Sequence, residues 1–271
     1  MKNEKQYHGK TERRREERGA YEAESPNEGV VSGRNAVKEL LSGGRDIDKI
    51  FVARGDREGS IVALVGEAVA RKIPLIEVER QKLDALCGHN RHQGIVALAA
   101  EHAYASIKDM LALAAEKGEA PLLVMADGIE DPHNLGALMR CAECAGAHGL
   151  IIPKRRSVGL TSVVAKASAG AIEHLPIARV TNLSTTLDEL KEKGFWAYAA
   201  DMDGTPHYKT DLRGPAVIVL GSEGFGISRL VKEKCDFVIS IPLYGKVNSM
   251  NVSAAAAVIL CEAARQRRDA D

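Results

Sequence analysis

Short apolar runs alternate along this chain with stretches in which apolar residues recur at every third or fourth position. The first pattern is that of a buried strand, the second that of a helix with one face on a core. In the front part of the chain the spacing predicts helices over 33–41, with Ser32 as a candidate cap, over 56–71 and over 81–86. Strands are predicted over 49–53, 73–78 and 95–99. A helical connector rich in Ala and Lys follows at 104–119, and Pro121 opens a second series. There, strands are expected over 122–126, 150–152, 177–180, 195–200 and 216–220, and another just before Pro242. Helices are expected over 135–145, 162–171, 183–193 and 252–265, the last rich in alanine. Such alternation argues for an α/β fold whose parallel sheet is covered on both faces. The chain divides into a small α/β unit at 29–103, a linker at 104–119 and a parallel-sheet domain at 120–267.

Residues 1–28 follow neither pattern. The run KTERRREER at 10–18 is dense in charge and has no apolar stripe, so the segment reads as a disordered, solvated tail. A total of 271 residues suits two domains better than one. No apolar run approaches the length of a membrane span, and no membrane partner is expected. The N-terminus is charged from its second residue and has no apolar core, which is not the pattern of a signal peptide; a cytoplasmic protein is the expectation. The 37 basic and 37 acidic residues cancel, which argues against a protein that coats nucleic acid but leaves room for a local basic surface. Five cysteines, at 87, 141, 144, 235 and 261, are odd in number and irregular in spacing, so no disulfide framework is expected. Cys141 and Cys144 stand three apart on a predicted helix and read as two small buried side chains rather than half of a metal site. The eight histidines offer no metal-binding spacing, and no metal is expected.

Ligands of parallel sheets bind beyond the carboxyl ends of the strands. Three glycine-bearing polar segments fall at such ends: DGIEDPHNLGALMR at 127–140, followed by CAECAG; IVLGSEGFGI at 218–227; and IPLYGKVNSMNVS at 241–253. The second is neither a dinucleotide fingerprint nor a P-loop. In the third, Ser249, Asn251 and Ser253 have the oxygens that suit a helix entry. Taken in order, the three segments resemble the three motifs of the SpoU family of RNA 2′-O-ribose methyltransferases, of the SPOUT class. The likeness spans about residues 30 to 267.

That resemblance implies a catalytic domain with a deep trefoil knot, threaded over about 217–265, and homodimers formed through it. It implies S-adenosyl-L-methionine as methyl donor and a guanosine of 23S rRNA as acceptor; tRNA, another rRNA site, or a non-catalytic RNA-binding assembly role are the alternatives. Segments 33–41 and 91–97 resemble the family's front RNA substrate-binding domain. By motif position, Leu220, Gly221, Ile241, Leu243, Met250 and Asn251 correspond to residues that hold the cofactor. Asn134, Arg140, Glu223, Ser249 and Asn251 correspond to the catalytic set. Asn134 also reads as a helix cap. Glu223 reads as orienting Arg140 or Asn134, as touching the target nucleotide, or as capping the helix after Gly226. Asn251 reads as a ligand or as a loop-structuring residue. Arg140 matches an arginine proposed to activate the hydroxyl, but a guanidinium is hardly ever deprotonated, so holding phosphate and stabilising a developing alkoxide suits it better. Arg34, Arg91, His92 and the cluster Lys154, Arg155 and Arg156 are candidates for RNA contact.

Overall fold

The computed structural model of the chain describes residues 29–43, 46–55, 59–100, 102–247 and 249–268. The charged tail at 1–28, the first residues of the helix expected over 56–71, and Asn248 in the third motif lie outside the described residues. The front unit is a four-stranded sheet of β1 (Val30–Ser32), β2 (Ile47–Ala53), β3 (Leu75–Val78) and β4 (Ile95–Ala99), in the order β1-β4-β2-β3. Strand β4 is antiparallel to β1 and β2, while β2 and β3 are parallel. Helices α1 (Arg34–Ser42), α2 (Ser60–Ala70) and α3 (Arg80–Cys87) cover it. The two-residue period of a strand divides β4 between two cores. Ile95 and Ala97 pack with Val37, Leu41, Ile61 and Leu64, whereas Val96 packs with Leu83 and Cys87. Ser32 does not cap α1; Gly33 holds that position without a side-chain bond, and the Arg34 amide donates to Gln93 Oε1 instead, at 3.0 Å.

The second unit is a six-stranded sheet of β5 (Leu122–Asp127), β6 (Gly149–Pro153), β7 (Ile177–Val180), β8 (Trp196–Pro206), β9 (Ala216–Gly221) and β10 (Phe237–Ser240). The order is β10-β8-β9-β5-β6-β7, and every neighbouring pair is parallel. Helices α5 (Pro132–Cys144), α6 (Ser162–Ala167) and α9 (Val252–Arg268) share one core, in which Val124 meets Leu135, Leu138, Ile259 and Leu260. Helices α4 (Ile107–Lys117), α7 (Leu183–Lys191) and α8 (Arg229–Lys234) share the other, where Leu123 meets Met110, Leu187 and Val231. With both faces covered, every residue of β5 is buried, which is why its sequence is a continuous apolar run rather than an alternation.

Four elements depart from expectation. Helix α6 stops at Ala167 because the Ser168 hydroxyl bonds back to Ala165 O and Ala169 and Gly170 take positive φ. Strand β8 continues past Ala200 through polar residues, since its far end pairs with β10 across a register shift. The strand expected against Pro242 lies earlier, at β10. The stretch 104–119 is no free tether: a capping box between Ser106 and Asp109 starts α4, and Met110 is fully buried against the second sheet.

The two units meet at a closed polar joint. Arg179 of β7 donates from Nη1 to Asp48 Oδ1 at 2.8 Å and from Nη2 to Asp48 O at 2.5 Å, with both side chains under a tenth exposed. The Tyr104 hydroxyl donates to the same Asp48 Oδ1 at 2.6 Å and accepts from Leu160 N at 3.2 Å. Burial, then the charge of Asp48, pushes the Tyr104 hydroxyl far above its ordinary range, so it stays a donor. Gly159 closes the joint from the other side, where a Cβ would stand 2.0 Å from Asp48 Oδ2.

Candidate active site

Strands β5 and β9 are neighbours at the centre of the sheet, yet the chain leaves β5 for α5 on one face and β9 for α8 on the other. Such a divergence opens a crevice beyond the strand ends. The loop from β10 to α9 lies beside it, so all three motif segments converge there.

Each segment is held by local chemistry. Asp131 caps α5, its Oδ1 accepting from His133 N at 2.7 Å and Asn134 N at 2.9 Å, and Pro132 occupies the first turn. Asn134 is therefore not the cap but a first-turn residue whose side-chain amide is released from capping. The Asp-Pro pair was the signal for this start, because Asp favours the cap and Pro the position after it. Asp127, at the end of β5, accepts from Ser228 N at 2.7 Å and so ties the first motif to the second. Gly221 ends β9 against the backbone of Gly226 and Ile227, where a Cβ would come within 2.1 Å of Gly226 C. Ser222 and Gly226 exchange backbone bonds, which folds the second motif into a tight loop that presents Glu223.

Three side chains from the three motifs meet there. Asn251 Nδ2 donates to Asn134 Oδ1 at 2.8 Å and to Glu223 Oε1 at 2.6 Å. Asn134 Nδ2 donates to the same Glu223 oxygen at 3.1 Å, and so does Val252 N at 3.3 Å. On its other side, Asn251 Oδ1 accepts from Ser253 N at 3.0 Å and Ser253 Oγ at 2.6 Å, which starts α9. Asn251 thus structures the loop and joins the site at once. Glu223 orients Asn134 and bonds the first turn of α9, not the helix after Gly226.

Two cavities flank this cluster and share Ser222, Glu223, Gly226 and Val252 as a common wall. The first, of ≈ 490 Å³, is lined by all six expected cofactor residues, Leu220, Gly221, Ile241, Leu243, Met250 and Asn251, and also by Glu223 and Ser249. That volume lies within the range of small-ligand pockets, roughly 300–1,000 Å³. Leu243 and Met250 stay 40% and 38% exposed, so a ligand would cover apolar surface that the chain alone leaves in water. Apolar walls that also carry polar groups, the Ser249 hydroxyl among them, fit an adenosyl group carrying a polar tail. The second cavity, of ≈ 640 Å³, is lined by Asn134, Glu223, Arg156 and the first-motif carboxylates.

Other expected site residues fall elsewhere. Arg140 is exposed on α5 and lines neither cavity. His92 is buried, with Nε2 3.1 Å from Asp84 Oδ1 and Nδ1 accepting from Gly94 N, so it shapes its loop and is not an RNA contact. Arg91 is exposed, whereas Arg34 is half-buried and braced by Gln93 O at 3.1 Å. Lys154 is half-buried and its ammonium is pushed down by burial, then by Arg179 and Lys72; Arg155 and Arg156 are exposed. Cys141 is half-buried but Cys144 is exposed, so the pair does not share a buried face. Among the described residues no group of three potential ligands could hold a metal ion, and no helix is long and apolar enough to cross a membrane.

The sequence profile of the SpoU rRNA Methylase family matches residues 121–261, which contain all three motifs. The chain belongs to the SpoU family. A second profile, for RNA 2′-O ribose methyltransferase substrate binding, matches residues 30–105 of this SpoU-family RNA methyltransferase. YacO of Bacillus subtilis (strain 168), described as TrmH family tRNA/rRNA methyltransferase at the level of sequence, is 47% identical over 238 residues, 88% of this chain and 95% of YacO. The SpoU methyltransferase AviRb from Streptomyces viridochromogenes, solved in complex with the cofactor AdoMet, superposes with a TM-score of 0.57 over 89% of this chain and 90% of its own; at 23% identity this likeness speaks for the fold. The A. aeolicus TrmH/SpoU tRNA modifying enzyme gives a TM-score of 0.51 at 30% identity, over 60% of this chain and 84% of its own.

Proposed function

We propose that the chain methylates the ribose 2′-hydroxyl of a guanosine in 23S rRNA, with S-adenosyl-L-methionine as donor. The observation that carries the reading is the meeting of Asn134, Glu223 and Asn251 on the wall between two cavities, one suited to an adenosyl ligand. The donor supplies a methyl on a sulfonium, so transfer breaks a carbon–sulfur bond, forms a carbon–oxygen bond and leaves one proton to be removed. Leu220, Ile241, Leu243 and Met250 enclose the adenosine, while Ser249 and the backbone of Asn251 hold the polar tail. The Asn251 amide spends both protons within the cluster, but Asn134 keeps one N–H and Glu223 keeps Oε2 outside it. These two orient the hydroxyl in line with the methyl, and Glu223 Oε2 receives its proton. Arg140 serves as a phosphate holder rather than a base, because its guanidinium stays charged. A homodimer joined through the catalytic domain and a chain threaded over 217–265 belong to the same reading.

The acceptor is a large RNA on this reading because the front domain is present. A tRNA substrate is the second reading, favoured by the likeness to the A. aeolicus TrmH/SpoU tRNA modifying enzyme, which aligns with only 60% of this chain. The test is transfer of labelled methyl from S-adenosyl-L-methionine to unmodified 23S rRNA and unmodified tRNA, followed by mapping of the modified ribose. Label at one rRNA guanosine is expected. Label on tRNA alone would move the substrate and keep the chemistry, and no label on either would remove the proposal.

A further inference from the structure

The methyl donor occupies the first cavity and leaves the second open to another ligand. The second lies across the Ser222–Glu223 wall from the first, so whatever it holds sits next to the ligand of the first cavity. Phe225 lines it and is 95% exposed, the most exposed of the chain's large apolar side chains among the described residues. A phenyl ring left in water at the tip of a tightly bonded loop offers a flat face to a planar partner. The carboxylates of Glu130, Asp131 and Glu223 also line the cavity, and they repel a phosphodiester. What enters must therefore be the uncharged part of a nucleotide. Arg156 is the single cationic side chain on the lining and comes from the basic run at 154–156.

We propose that this cavity seats the methyl-accepting nucleoside, swung out of its strand, with the base stacked on Phe225 and its phosphate held by Arg156. The inference rests on the methyltransferase reading and adds to it the seat of the acceptor and specific roles for Phe225 and Arg156. Enzymes that act on a single nucleotide commonly extrude it and grip its base between an apolar surface and groups that read its edge. Here the readers are carboxylates, which only accept hydrogen bonds when ionised. They favour a base with adjacent donors on its edge, as guanine has in its ring N–H and its amino group. The hydroxyl of a nucleoside seated here faces Glu223 and Asn134, the two groups with capacity left over.

The experiment compares Phe225→Ala, Phe225→Tyr and Arg156→Ala with the unaltered protein on unmodified rRNA, and measures S-adenosyl-L-methionine binding in parallel by calorimetry. Phe225→Ala is expected to raise the KM for RNA about tenfold or more, the scale of one lost base stack. Its cofactor affinity and thermal midpoint should not move, and Phe225→Tyr should restore most of the loss. Arg156→Ala should raise the KM and flatten its salt dependence. Inosine in place of the mapped guanosine, which lacks the amino group, should lower kcat/KM. Normal RNA kinetics in both alanine variants would overturn the seat while leaving the methyltransferase reading intact. Equal loss of cofactor binding would return the cavity to the donor and also overturn it. An unaltered protein that transfers no methyl to any RNA removes both proposals together.

Discussion

The carboxylate of Glu223 stands in an open crevice, whereas that of Asp48 is closed away between the domains, and each gathers segments far apart in the chain. Glu223 does so with neutral partners: two side-chain amides and a backbone N–H converge on one of its oxygens. Asp48 does so with a full charge, a guanidinium making several bonds and a phenol locked in its neutral form. The surroundings account for the difference. Water reaches Glu223, so its bonds are exchanged for others at low cost, as a binding site requires. Water does not reach Asp48, so a partner removed there leaves an uncompensated charge. The first arrangement admits ligands, and the second fixes the angle at which the front domain faces the crevice.

The comparison breaks most sharply at the joint. Arg179→Met should destabilise the protein by about 3–5 kcal/mol, the scale for losing one partner of a buried pair. Adding Asp48→Asn should recover part of that loss, because the stranded charge goes too; urea unfolding of the single and double variants checks both. In the crevice the effect moves from stability to rate. Glu223→Ala should lower kcat by about 10²-fold through misplacement of Asn134 and Asn251, while the unfolding midpoint changes little. Glu223→Gln, which keeps the accepting oxygen, separates orientation from proton removal: retained activity would assign Glu223 to orientation alone.

A third buried polar group sharpens the contrast through pH. His148 accepts from Leu122 N at Nδ1, and its Nε2 lies 3.1 Å from Glu119 Oε2 but outside hydrogen-bonding geometry. Burial, opposed by Glu119, pushes its pKa below the ordinary 6.5. Its contribution is therefore complete above that value and declines as pH falls through it, because the unfolded chain takes up the proton first; below the depressed folded value the loss grows no further. Unfolding midpoints measured between about pH 8 and about pH 5 should show this decline, and His148→Asn should flatten it. The smallest effect belongs to the exposed pair Asp211–Arg213, which has two good bonds of 2.9 Å and holds the Asp211 carboxyl down at about 2. Arg213→Ala should leave the thermal midpoint within error, since exposed pairs contribute little whatever their geometry.

Much of the second domain is legible in the sequence because a sheet covered on both faces leaves continuous apolar runs. The strands around 122–126 and 216–220 are marked in this way. Strand β1, of three residues, is too short for alternation to register. Helix α8 is short, and its sequence RLVKEK carries too few apolar residues to mark a face. The tail of β8 is polar and exists only through its pairing with β10. In the site, motif order foretold that Asn134, Glu223 and Asn251 share a crevice, but not that one Glu223 oxygen gathers the other two. His92 and Arg140 show the limit of reading charge from sequence, since one is buried and the other lines neither cavity. Asp48, Arg179 and Tyr104 gave no signal, because a lone charge or phenol has no period and its partners lie elsewhere in the chain.

The beginning of α9 has a use that needs no substrate. Its first amides are held by the site itself: Val252 N by Glu223, and Ser253 N and Ala254 N by Asn251. Ordinary helix ends fray and exchange their amide hydrogens quickly with solvent. These three are protected only while the first, second and third motifs are in register with one another. Their deuterium uptake is a built-in gauge of site assembly, readable in any variant before its activity has been found.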